Sequence, residues 1–252
     1  MMNNKKYTVL QKSLLISSLV SLSFGVVNLL PVQANDMPNQ VASAFNITFD
    51  PPNESQPKAT KGGASRGSQC VFDSQADSEP FAPLLPTTNI GLTTASHPTL
   101  LVHIPATSAE SVFLTLQDEN EDQVYQAILP IGNKSGIVSL DIPKDAPALE
   151  TGKNYKWSFA LMCDNKLRPD SPIVQGYVKR VELQSQLANQ LQQATPVEMA
   201  ALYGKAGIWY ETIATLAQLR QNQPQNNDLK TAWNDILNSV GLEKVAKAEL
   251  VE

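Results

Sequence analysis

Ser65 sits at the centre of Gly63-Ala64-Ser65-Arg66-Gly67. This is the Gly-x-Ser-x-Gly spacing of a nucleophile elbow, which holds a serine hydroxyl at a strained turn between a strand and a helix. Hydrolysis of an ester or amide would also need an acid and a downstream histidine, and the chain offers only His97 and His103. The flanks argue against this chemistry. Residues 58–62 are polar and poor in strand formers, and Ser68–Phe72 leads to a cysteine rather than a helix. Gly62, Gly63 and Gly67 read better as turn residues, with Arg66 holding a carboxylate. The same stretch lacks the lysine and following helix of a phosphate loop. No catalytic residue is assigned.

Metal chemistry finds little support either. Asp118, Asn120 and Asp122 alternate like the first ligands of a calcium loop, but Gln123 and Leu129 stand where glycine and glutamate are required. A solvated acidic hairpin is the plainer reading, with a weak exposed calcium contact as the alternative. His97 and His103 fall six apart, on one side of an extended segment, with no third ligand. They read as structural histidines. No metal and no cofactor is expected.

The cysteines depend on compartment. Lys5, Lys6 and Lys12 precede an apolar, serine-rich run from Ser13 to Leu30, and Val32-Gln33-Ala34 is a signal-peptidase site, so residues 1–34 read as a signal peptide. A membrane anchor is the competing reading. After export, Cys70 and Cys163, the only two cysteines, would lie in an oxidising compartment and should pair. Closing a loop of roughly 90 residues is worth on the order of 4 kcal/mol. A buried free thiol is the alternative. Loss of three lysines makes the mature chain more negative than the formal −5 of the whole sequence, which excludes nucleic acid and anionic lipid as natural partners. Localisation is expected to be secreted or periplasmic, with no membrane contact after cleavage.

The elements that would position these residues fall into three stretches. Residues 35–60 are rich in Asn, Pro, Gln and Ser and read as a disordered tether, with Phe45 and Ile47 able to dock. Over residues 61–182, short β-rich runs bounded by turn residues predict strands at 99–104, 111–117, 123–129, 136–142, 155–163 and 172–181. In the strongest of them Tyr155, Trp157, Phe159, Leu161 and Cys163 share a face. The pattern predicts an antiparallel, immunoglobulin-like β-sandwich with the cysteines bridged against Trp157. From Leu183 the period changes to that of a helix, giving an α-helical region over 183–252 and an α+β chain overall. Leu183, Leu187 and Leu191 form one stripe, expected to dock on the sandwich, and Thr195-Pro196-Val197-Glu198 is a capping box. Two further helices follow, the last ending near Gly241.

Several motifs together resemble a known family. They are Gly62-Gly63-Ala64-Ser65-Arg66-Gly67-Ser68-Gln69-Cys70, Gly91-Leu92-Thr93 before His97-Pro98-Thr99, Leu116-Gln117-Asp118, Tyr155-Lys156-Trp157 with Cys163-Asp164, and Gly176–Glu182. In these residues the chain resembles a secreted cyanobacterial family known only as domain of unknown function 928, over roughly 58–240. The resemblance implies a compartment and a source, not a reaction. One departure is the 118–122 turn, all Asp, Glu or Asn here, where that family often carries glycine. The helical part resembles a single tetratricopeptide unit through Met199, Ala200, Tyr203, Gly207, Trp209, Leu216, Leu219 and Pro224, with Thr212 where that pattern prefers alanine. One unit forms no solenoid, so a helical hairpin packed on the sandwich or on a partner is expected.

The resulting expectation is an exported, non-enzymatic interaction or scaffold module with an unknown protein partner. Trp157, Tyr177, Trp209 and Trp233 are the candidate contacts. A carbohydrate- or small-ligand-binding sandwich is the alternative, followed by a serine hydrolase.

Overall fold

The computed structural model describes residues 46–52, 80–132 and 135–251. These belong to one compact unit, residues 39–252. The expected signal peptide, the Gly62–Gly67 stretch with Ser65 and Arg66, and Cys70 lie outside the described residues.

Nine strands among the described residues form two sheets. β1 (Ala82–Pro83), β3 (Thr99–Ile104), β6 (Gly136–Asp141) and β9 (Leu250–Val251) make a four-stranded sheet in the order β1-β3-β6-β9. β2 (Ile90–Thr93), β4 (Ser111–Gln117), β5 (Gln123–Pro130), β7 (Asn154–Met162) and β8 (Ile173–Arg180) make a five-stranded sheet in the order β2-β8-β7-β4-β5. The expected β4–β5 hairpin forms at the acidic turn, where Asp118 N–H donates to the Asp122 carbonyl and Glu121 turns with φ 64°.

The expectation of purely antiparallel sheets is corrected. β2 runs parallel to β8, and β6 runs parallel to β9. Parallel partners need a long crossover between them, and both pairs have one. The chain between β2 and β8 builds most of both sheets, and the chain between β6 and β9 includes β7, β8 and every helix. Periodicity identified the long strands, but β1, β2 and β9 are too short to show a period.

The helices are α1 (Ser185–Leu191), α2 (Pro196–Lys205), α3 (Trp209–Asn222) and α4 (Asn227–Ser239). The capping box forms as expected: Thr195 accepts from the Glu198 N–H, and the Glu198 carboxylate accepts from the Thr195 N–H at 2.7 Å. Gly241 takes φ +83° just beyond the α4 cap. The leucine stripe does not dock. α1 has no buried residue, and Leu183 is 39% exposed. α3 instead packs on β2 and β3. Its longer stripe of Trp209, Ile213, Leu216 and Ala217 buries far more apolar surface than three leucines on a seven-residue helix.

One hydrophobic core joins both sheets and helices α2, α3 and α4. Part of the expected tether belongs to it. Ile47 is 4% exposed, Phe49 sits edge-on to Trp209 at 4.8 Å, and Asp50 N–H donates to the Gly204 carbonyl.

Candidate functional site

The seam between the five-stranded sheet and α3 holds most of the aromatic residues that looked available for ligands. Trp157 donates from Nε1 to the Tyr210 hydroxyl at 2.8 Å, and that hydroxyl donates to the Tyr177 carbonyl at 2.9 Å. Trp209 donates to the Leu84 carbonyl and Trp233 to the Ala246 carbonyl. All three indoles are 0% exposed, so Trp157, Trp209 and Trp233 are corrected from contact residues to core residues. Indoles on apolar strand and helix faces are driven inward, and each N–H then needs an internal acceptor. Burial holds the Tyr210 phenol far above its ordinary pKa, with the Trp157 N–H opposing, so it stays a neutral relay. Glycines admit this packing: a Cβ on Gly91 would lie 2.7 Å from the Tyr210 ring, and one on Gly176 would overlap Leu85 and Trp157.

Glu211, in the first turn of α3, clamps the helix to the end of β2. Its Oε1 accepts from Thr93 Oγ1 at 2.8 Å, Thr94 N–H at 2.7 Å, Thr94 Oγ1 at 2.9 Å and Ala95 N–H at 3.0 Å. Oε2 is buried without a hydrogen-bond partner. Charge-assisted bonds of this kind fix orientation. Sequence reasoning missed the clamp, since an acid in a first helical turn is too common to mark one.

Glu211 borders a cleft of about 400 Å³ that His97, Thr99 and Asp141 also line. His97, Thr99 and Asp141 are engaged internally. His97 Nε2 meets the Ala146 carbonyl at 2.9 Å, Nδ1 meets Ser96 Oγ at 3.0 Å, and Thr99 donates to Asp141. His103 is 1% exposed and reaches the Pro80 carbonyl. The two histidines thus serve different loops rather than one metal, and no group of three ligating side chains occurs among the described residues. The Ser96–His97 contact is a hydroxyl–imidazole pair that the sequence reading did not consider.

The outer face of the five-stranded sheet is built differently. Register places Ile128, Phe113, Ala160 and Ile173 side by side across β5, β4, β7 and β8. Residues directly opposite one another share a face, so the row is apolar and about 14 Å long. Ile128 is 59% exposed and Ile173 43%, with Leu167 at 51% in the turn leading to β8. The next row is Gln126, Thr115, Ser158 and Gln175, polar and uncharged. Beyond it come Gln117, Lys156 and Tyr177.

That charged end opens into a cleft of about 360 Å³ lined by Tyr177, Asn154 and the acidic turn. Asp118 Oδ1 accepts the Asn120 and Asp122 N–H groups, and Glu119 Oε1 accepts from Asn154 N–H at 2.9 Å and Nδ2 at 3.2 Å. The turn's carboxylates therefore brace its own backbone and β7. Partial burial and the nearby Glu121 charge raise the Tyr177 phenol pKa. Tyr177 is the one expected contact residue that keeps an accessible setting.

Cys163 follows β7, is 6% exposed and is not a free thiol. Its expected partner Cys70 lies outside the described residues.

No curated protein and no solved structure matches the chain. A family model described as Domain of Unknown Function (DUF928) matches residues 61–250, which takes in every helix and every strand described here except the last residue of β9. By that match the chain belongs to the DUF928 family.

Proposed function

We propose that this protein is an exported, non-enzymatic interaction module that engages a protein partner through the outer face of its five-stranded sheet. The carrying observation is the row Ile128–Phe113–Ala160–Ile173, whose two ends are large, apolar and exposed on either side of a half-buried Phe113 and a buried Ala160, beside the polar row of Gln126, Thr115, Ser158 and Gln175. Large exposed apolar side chains with a polar surround favour association. The signal-like N-terminus supports export, and the acidic net charge disfavours nucleic acid and anionic membrane. Within this reading the two sheets act as an immunoglobulin-like sandwich with Cys70 bonded to Cys163. The α2–α3 hairpin acts as a lone tetratricopeptide-like brace.

Cross-linking of the exported protein to its neighbours, followed by mass spectrometry, tests the proposal. Wild type should recover a partner that Ile128→Glu/Ile173→Glu loses while its melting is unchanged. An identical set of cross-links from both proteins overturns the proposal, as does turnover in an ester and peptide screen that Ser65→Ala or Ser96→Ala abolishes.

The Tyr177 cleft favours a second reading, a small polyhydroxyl ligand held against one aromatic face by acidic and amide groups. A glycan panel giving binding to wild type and none to Tyr177→Ala would select it over the first. The bridge has its own test: two titratable thiols in unfolded, unreduced protein would refute it.

A further inference from the structure

A sheet edge is a row of unpaired backbone groups, and proteins blunt such edges by keeping them short, covering them or charging them. Among the described residues, three of the four edges are managed. β1 and β9 are two residues long, and β2 has four buried residues beneath α3. The fourth is β5, whose eight residues Gln-Val-Tyr-Gln-Ala-Ile-Leu-Pro carry no charge.

The groups this edge presents follow from the ladder. Ile131 N–H donates to the Glu110 carbonyl, and antiparallel bonding alternates from there. Leu129, Ala127 and Tyr125, opposite Val112, Leu114 and Leu116, therefore bond to β4. Gln126 and Ile128 turn their N–H and C=O groups outward, and Pro130 turns outward the position where it lacks a donor. A proline is tolerated there because no ladder bond is lost. Gln126 and Ile128 are both exposed.

We infer that β5 pairs antiparallel with β5 of a second copy across a two-fold axis at Ala127. This goes beyond the module reading, since it uses the strand's edge rather than the sheet's face. A two-fold axis perpendicular to the sheet returns each face to itself, so only registers that match like faces are allowed. Centring on Ala127 sets Gln126 against Ile128 of the other copy and the reverse, which makes about four main-chain hydrogen bonds. Tyr125 then lies opposite the other copy's Leu129, and both are half-buried residues already resting on the core. Joining two copies brings no charged side chain of β5 against its counterpart, and Pro130 terminates the pairing at each end. A strand with no charged side chain of its own avoids the like-charge contacts that a Lys- or Glu-bearing edge would make, and among the described residues the one carboxylate bonded to it is Asp145, at the Tyr125 hydroxyl.

Sedimentation of protein exported from the full-length chain, followed through a dilution series, tests the pairing. Wild type should be a dimer that dissociates on dilution. Ile128→Lys should raise the dimer Kd by about a hundredfold or more, because it sets an ammonium on each side of the axis. Gln126→Pro should do the same by removing an outward donor while leaving the β4 ladder intact. Ile173→Lys, on the same face but three strands from the edge, should stay dimeric, and Ala127→Cys should give a disulfide-linked dimer. Circular dichroism melts that match wild type keep the monomerising variants interpretable. A monomeric wild type overturns the pairing, as does a dimer that survives Ile128→Lys or one lost in Ile173→Lys instead. The face reading is decided separately, by capture of a partner other than a second copy of this chain.

Discussion

The two faces of β7 come from alternate residues of one strand and are built from different kinds of side chain. On the inner face Tyr155, Trp157, Phe159 and Leu161 are all at most 5% exposed, and Trp157 is bonded through Tyr210 to the next strand. On the outer face Ser158, Ala160 and Met162 are also at most 8% exposed, but with Lys156 they are small, flexible or polar, and the Thr115–Ser158 hydroxyl pair links β4 to β7 there. The inner face spends its aromatic residues on cohesion. The outer face leaves apolar side chains exposed at β5 and β8, where they stabilise the monomer little and remain available to something else. The aromatic residues that look most like ligand contacts in this chain are therefore those least able to make any.

The contrast breaks most sharply if Trp157 is tolerant of truncation. Trp157→Ala should cost about 3–5 kcal/mol, since losing a fully buried indole leaves a cavity and deprives the Tyr210 hydroxyl oxygen of its donor. Urea unfolding measures this, and a loss under 1 kcal/mol would mean that the seam is not the core. Tyr210→Phe should cost about 1–3 kcal/mol. It removes one oxygen while leaving the Trp157 N–H and the Tyr177 carbonyl buried and unpaired, so a neutral result in the same assay would show water replacing the relay.

Outer-face changes should be an order smaller. Ile173→Ser should shift stability by no more than about 0.5 kcal/mol in thermal melts, because the side chain is 43% exposed. A larger loss would mean that the face is covered in the folded protein, which would sharpen the comparison into two buried faces. The smallest effect belongs to the capping box. The Thr195 backbone N–H, then its hydroxyl, holds the Glu198 carboxyl below its ordinary pKa. Its contribution is thus complete above the unfolded-state value and disappears as pH falls through the folded-state one. Melting temperature followed down through the acid range should fall slightly less in Glu198→Gln than in wild type.

Local signals in the sequence determined much of this protein. Strand periods marked β3 through β8 to within a residue or two, the Thr195 box marked the start of α2, and Gly241 marked the end of α4. Each depends on neighbours within a few residues, so a one-dimensional reading suffices. The β2–β8 and β6–β9 pairings were not legible, because two- and four-residue strands have no period and their partners lie far along the chain. The leucine stripe of α1 looked like the docking face, but which amphipathic helix reaches the sheet depends on the surface each can bury against a partner of fixed shape. Trp157, Trp209 and Tyr177 are equally aromatic in sequence. Only the folded arrangement, with Tyr210 bridging the first to the backbone of the last and Leu84 capping the second, separated core residues from the one that faces a cleft. Composition says that a side chain will seek burial, and long-range packing decides which ones find it.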